Sequence, residues 1–140
     1  MNLMNFYQVA HRLYQMRIPL FPKIIYYIQF LLFNSSLPSS VKIGKNSVFR
    51  YGGIGVVIHD RAQIGERCVL GQGITIGGRS KKFEVPIIGN NAFIGFGARI
   101  LDDVIIGANS VGIESVPENS IVVGISAKVV KINIIPEEYV

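Results

Sequence analysis

Counted in sixes from Ile58, the apolar positions of this chain fall on one beat: Ile58, Ile64, Leu70, Ile76, then Ile88, Ile94, Ile100 and Ile106. The next residue is Gly in six of these eight places, with His59 and Leu101 as the exceptions. The fourth residue after the beat is often small: Ala62, Cys68, Ala92, Ala98 and Ser110. A period of six is neither the 3.6 of a helix nor the two of a simple strand, and marks an internal repeat. It predicts a coil of short parallel strands. Each unit gives one flat strand and one corner, with the Ile turned inward. Gly and small residues let the chain turn without a Cβ clash. Stacked rungs at roughly 4.8 Å satisfy one another's backbone. Cys68, on a small-residue slot, reads as a buried packing thiol and not a nucleophile.

Before Val41 the pattern differs. Asn5 to about Phe33 predicts two short helices broken at "RIPLFPK". Leu13, Met16 and Arg17 give the first a face. Tyr26, Tyr27, Phe30 and Phe33 leave the second apolar on most sides, so something must cover it. Two readings stand side by side: packing on the domain or a second subunit, or shallow contact with a membrane carrying a lipid-linked substrate. "NSSLPSS" reads as a linker. The predicted organisation is a helical segment and linker over 1–40, the repeat over 41–130 with a loop insertion near 79–86, and a tail over 131–140. The apolar run Ile24 to Phe33 is shorter than the roughly 20 residues of a membrane span. The start "MNLMNFYQVAHRLYQ" lacks the layout of a signal peptide.

Composition narrows the picture further. The 140 residues predict one domain, and a low charged fraction with abundant Gly excludes a disordered chain. A net charge of +5 suits an anionic ligand. The basic residues are dispersed and not interleaved with aromatics, which argues against nucleic acid. One Cys excludes an intrachain disulfide and fits a reducing compartment, so the expected location is cytoplasmic, with the inner face of the membrane as the alternative. Two His in the whole chain do not supply the three ligands of a catalytic zinc, and no metal site is expected.

The repeated "IG" plus four residues over Val41 to Val130 resembles the hexapeptide-repeat acyltransferases. Within that group "GVVIHDRAQIG", "GITIGGRS", "IIGNNAFIGFGARIL" and "SVPENSIVVGISAKVV" are similar to serine acetyltransferases and to the O-acetyltransferases of surface-polysaccharide clusters. The resemblance implies a mainly β fold, a left-handed parallel β-helix after a short helical segment, assembled as a homotrimer. Chain physics alone favours right-handed crossovers, so the hand rests on the resemblance. It also implies acetyl-CoA as acyl donor and a hydroxyl acceptor. A saccharide hydroxyl is the preferred acceptor and serine the alternative. A non-catalytic β-helix scaffold is the rival from another class.

Chemistry is expected where the rhythm fails. The breaks are "FRYGGIG", "GGRSKKFEVP" and the stretch from Gly112. In the second, Gly78 permits close approach of a ligand and Arg79, Lys81 and Lys82 supply charge. By the resemblance, Gly78, Arg79, Ala98, Ser110 and Lys128 line the coenzyme, with Ser126 in place of the usual Pro near Lys128. Acetyl transfer to a hydroxyl needs a base and oxyanion donors. His59, on a slot that is usually Gly, is the candidate base, with Tyr51 lining the acceptor pocket; His11 reads as surface or interface. The resembled serine enzymes carry their His one rung earlier, in a "DHATG"-like segment where this chain has "RYGGIG", with Tyr51 or Gly52 in that place. No carboxylate partner is recognised: Asp60 adjoins His59, but neighbouring strand side chains point apart. One hexapeptide is also missing after Gly107. In a trimer, the cleft between prisms would bring His59 of one subunit to coenzyme held by the next.

Overall fold

The computed structural model describes residues 1–78, 83, 85–101, 111–112, 121–123 and 128–131. Two helices open the chain. α1 spans Leu3–Gln15; Asn2 caps it by accepting a hydrogen bond from the Met4 N–H at 2.9 Å. α2 spans Phe21–Phe33, begins with Pro22 in its first turn and ends on Asn34 in the left-handed region. Both expected helices are present, but the buried face of α1 is Leu3, Met4, Tyr7 and Ala10. Met16 and Arg17 fall beyond the helix end and are exposed.

Nine two- or three-residue strands then wind into three full rungs of a parallel coil. They are β1 (Lys42–Ile43), β2 (Val48–Phe49), β3 (Val57–Ile58), β4 (Gln63–Ile64), β5 (Val69–Leu70), β6 (Thr75–Gly77), β7 (Ile87–Ile88), β8 (Phe93–Ile94) and β9 (Arg99–Leu101). β10 (Val111–Gly112) follows on β9, and an antiparallel hairpin, β11 (Ile121–Val123) with β12 (Lys128–Lys131), comes last. The three walls of the prism are β1-β4-β7, β2-β5-β8 and β3-β6-β9-β10. Every pair within these walls is parallel.

The register explains each break. Val57 pairs with Thr75, eighteen residues on, which is three sixes. Val48 pairs with Val69, twenty-one on, so "FRYGGIG" carries three extra residues. Gln63 pairs with Ile87, twenty-four on, so the segment after Gly78 carries six. Arg99 pairs with Val111, only twelve on, one hexapeptide short of a turn. Gly112 therefore takes the inward slot beside Ile100.

The beat is the core. Ile58, Ile64, Leu70, Ile76, Ile88, Ile94 and Ile100 are all buried, as are the small-slot residues Ala62, Cys68, Ala92 and Ala98. At roughly 25 cal/mol per Å² of apolar surface removed from water, each buried Ile or Leu stabilises by about 1.5–3 kcal/mol. The glycines after the beat answer to stacking more than to backbone dihedrals. A Cβ on Gly65 would lie 2.5 Å from Asn90 Oδ1 and 2.7 Å from the Gly89 carbonyl carbon.

The stretch read as a linker is built into the coil. Ser36 bridges β3, its N–H donating to Val56 O at 2.7 Å while its carbonyl accepts from Ile58 at 2.9 Å. Buried Ser35 accepts from the Val56 N–H at 3.0 Å, and its hydroxyl lies 2.8 Å from Gly53 O. Leu37 is fully buried. The first rung would otherwise expose the unpaired edge of β3, and this segment closes it. Tyr7 locks α1 to the same end: its hydroxyl donates to Val41 O at 2.6 Å and accepts from the Ile43 N–H. Burial pushes that phenol up to about 12.

Candidate functional site

The corner between β3 and β4 is where the repeat carries polar side chains in place of glycine. His59 follows Ile58, the last residue of β3, and its N–H donates to Ile76 O at 2.6 Å. The register of β3 on β6, continued by one residue, sets His59 beside Gly77, with Gly78 next. His59 N–H and C=O are both spent on the fold, the carbonyl accepting from Ala62. The imidazole is free to project, and it is about a third exposed (32 %).

Asp60 lies beside it. Its Oδ1 is 2.8 Å from His59 Nδ1, and the Arg61 N–H is 3.2 Å from the same nitrogen. Only one of these can be a hydrogen bond at a time, since Nδ1 either donates or accepts. The carboxylate contact is shorter and charge-assisted, and a carboxylate would repel a bare Nδ1 lone pair. With Asp60 as the partner, a neutral ring keeps its proton on Nδ1 and its lone pair on Nε2. This corrects the expectation that Asp60 points away. Strand alternation does not apply here, because residues 59–61 form the corner. The hexad count itself placed them there, so the signal was available.

Arg61 and Phe83 were not singled out from sequence. The Arg61 guanidinium sits 4.1 Å over the Phe83 ring and donates to Phe83 O at 2.7 Å. This ties the inserted segment back onto the His59 corner, at an exposed site where such a contact is worth about 0.5–1 kcal/mol.

The other expected residues divide by corner. Tyr51 occupies the corner between β2 and β3, in the left-handed region (φ 50°) and 69 % exposed. Its ring stands edge-on to Phe96, one corner column with it, at 5.4 Å. Tyr51 and His59 are thus at opposite ends of β3, and one chain does not bring them together. Ala98 lies inside the prism near the Tyr51–Phe96 corner, with its carbonyl accepting from Thr75 at 2.8 Å. Gly78 shares the His59 corner. Lys128 opens β12; its side chain, together with Arg79, Lys81, Lys82 and Ser110, lies outside the described residues. His11 is committed elsewhere: Nδ1 donates to Ser39 O at 2.6 Å, and Nε2 accepts from Gln15 at 2.9 Å. Among the described residues no group of three or more His, Cys, Asp or Glu could hold a metal.

A serine acetyltransferase from Synechococcus elongatus is 36% identical over 132 residues, covering 89% of this chain and 54% of that protein. The solved structure of a serine acetyltransferase in complex with CoA superposes with a TM-score of 0.79 at 26% identity, over 91% of this chain and 55% of that one. Soybean serine acetyltransferase complexed with serine gives 0.78 at 29%, over 89% and 54%. Over most of its length the chain is similar to serine acetyltransferases in sequence and in fold. No protein-family model matches it. A coil of the opposite hand would not superpose at these scores, so the prism is the left-handed parallel β-helix of these relatives. The chain spans about half the length of the relatives it matches.

Proposed function

We propose that the chain is an acetyl-CoA-dependent O-acetyltransferase with His59 as its base. The observation that carries this is the corner geometry: an imidazole held at Nδ1 by Asp60, standing beside the Gly77–Gly78 segment. The relatives support it, since they are serine acetyltransferases, one of them solved with CoA and another with serine. They favour a serine hydroxyl as acceptor over the saccharide hydroxyl preferred from sequence.

In this reading Nε2 of His59 takes the proton of the acceptor hydroxyl as its oxygen attacks the thioester carbonyl. The same nitrogen returns the proton to the departing sulfur. Asp60 holds the tautomer and stabilises the imidazolium between the two transfers. Gly78, with no side chain, leaves room for the pantetheine arm. By the resemblance, Arg79 and Lys128 would meet its phosphates, and the backbone of Ala98 and Ser110 would line it.

A second reading keeps a saccharide acceptor. It rests on the exposed Tyr51–Phe96 pair, since aromatic faces pack well on sugar rings. For Tyr51 to meet the His59 of another copy, the chain must assemble, as the expected homotrimer would allow.

The test is acetyl-CoA turnover, read as free-thiol release, with serine and a panel of sugars. Wild type is expected to turn over with serine, and His59→Ala to lose about 10²-fold or more. Equal turnover by the variant removes His59 from the chemistry. A chain that binds no acetyl-CoA at all is a scaffold.

A further inference from the structure

We infer that the α1–α2 hairpin is a docking surface for an anionic lipid bilayer. The inference does not rest on the proposed activity.

Three observations carry it. The first is the width of the apolar surface on α2. Only Pro22, Gln29 and Phe33 of this helix are buried. Leu20, just before it, and Phe21, Ile24, Tyr27, Ile28, Phe30, Leu31 and Leu32 are exposed, Leu31 by 82 %. At 100° per residue these positions sweep roughly 200° of the helix. A partner helix covers a stripe of roughly 100°. A fluid apolar medium covers the whole arc.

The second observation is charge. Residues 1–59 contain six Lys and Arg and no Asp or Glu. Three of the six, Arg12, Arg17 and Lys23, lie in the hairpin and are exposed. On a neutral protein partner such a one-signed segment would repel itself without return. Opposite a negatively charged lipid surface each cation near the headgroups contributes about 1 kcal/mol.

The third is the hairpin tip. Exposed Met16, Leu20 and Phe21 alternate there with Arg17 and Lys23. A cavity of about 600 Å³ opens beside them, lined by Tyr14, Arg17, Ile18, Pro22, Lys23 and Ser39. Two cations over an apolar floor suit a phosphate headgroup with its acyl chain alongside. No helix among the described residues is long and apolar enough to cross a membrane, so the hairpin lies on the surface.

The test uses the full chain with vesicles of phosphatidylcholine alone or mixed with phosphatidylglycerol, followed by co-sedimentation. The chain should pellet with the mixed vesicles, less with phosphatidylcholine alone, and less as salt rises. Ile24→Glu with Leu31→Glu should weaken binding at least tenfold while leaving the sedimentation mass of the free protein unchanged. The chain has no Trp, so Leu31→Trp gives a single reporter whose emission should shift to the blue on the mixed vesicles. A chain that stays in the supernatant, or an unshifted Leu31→Trp emission, overturns the inference. So does a double variant whose sedimentation mass falls, which would assign the face to a second copy of the chain.

Discussion

Two corners of the prism run in parallel and obey different rules. After β1, β4 and β7 the chain turns through Gly44-Lys45-Asn46, Gly65-Glu66-Arg67 and Gly89-Asn90-Asn91. The last residue of each turn is left-handed, at φ 60°, 53° and 56°. Each turn is bonded to the next: Asn91 N–H to Glu66 O, Glu66 N–H to Asn90 Oδ1, Arg67 Nε to Asn91 Oδ1. After β3 and β6 the chain turns through His59-Asp60-Arg61 and then through the inserted segment that follows Gly78. No residue of that described first turn has positive φ. In the regular column, the peptide after each glycine lies where a Cβ would be. His59 has a Cβ, so the Gly77–Gly78 peptide cannot run over it in the same way, and the chain leaves the beat at that point. The six added residues enter the chain one rung above that side chain.

The largest test of this contrast swaps the burden between corners. Gly65→Ala places a methyl within 2.7 Å of backbone atoms of the next rung. Overpacking against backbone should cost about 2–3 kcal/mol in denaturant unfolding. His59→Ala, at a partly exposed corner whose side-chain hydrogen bonds among the described residues stay within its own turn, should cost no more than about 1 kcal/mol. If both cost the same, the two corners are packed alike.

A middle-sized effect separates stability from chemistry. Asp60→Asn removes the charge that fixes the His59 tautomer, and should lower kcat/KM about tenfold with unfolding midpoints unchanged. Asn90→Ala removes the acceptor of the Glu66 N–H. It should cost about 1 kcal/mol of stability and leave kcat/KM alone. An Asn90 variant that loses activity, or an Asp60 variant that loses only stability, would erase the distinction.

Much of the regular corner was legible in the sequence, because stacking forces identity at fixed intervals. Ile, Gly and small residues recur at sixes, and each kind met the environment its slot predicts. The irregular corner was half legible. The break after Gly78 and the anomalous His59 could be seen. Its partner could not be assigned while Asp60 was treated as a strand neighbour instead of a turn residue. Arg61 and Phe83 meet across twenty-two residues of irregular chain, and no period marks such a contact. "NSSLPSS" was misread for a related reason. Its composition is that of a linker, and only the open edge of β3 gives Ser35, Ser36 and Leu37 their work.

The smallest predicted effect concerns the reactive side chain on the regular side. Cys68 is fully buried, with Sγ 3.2 Å from Gly89 O. Burial raises its pKa above the ordinary 9.0, against weaker lowering by its hydrogen bonds and Arg67. The folded thiol keeps its proton where the unfolded thiol has lost it. Its contribution to stability is therefore present below 9.0 and fades as pH rises through the folded value. A thiol-directed reagent should label the native protein at least about 10³-fold more slowly than the denatured chain, at the rate set by unfolding. Cys68→Ala should flatten the alkaline limb of the stability curve slightly and leave turnover untouched. Rapid native labelling would mean that the regular column opens as readily as the His59 corner, and the two would no longer differ in kind.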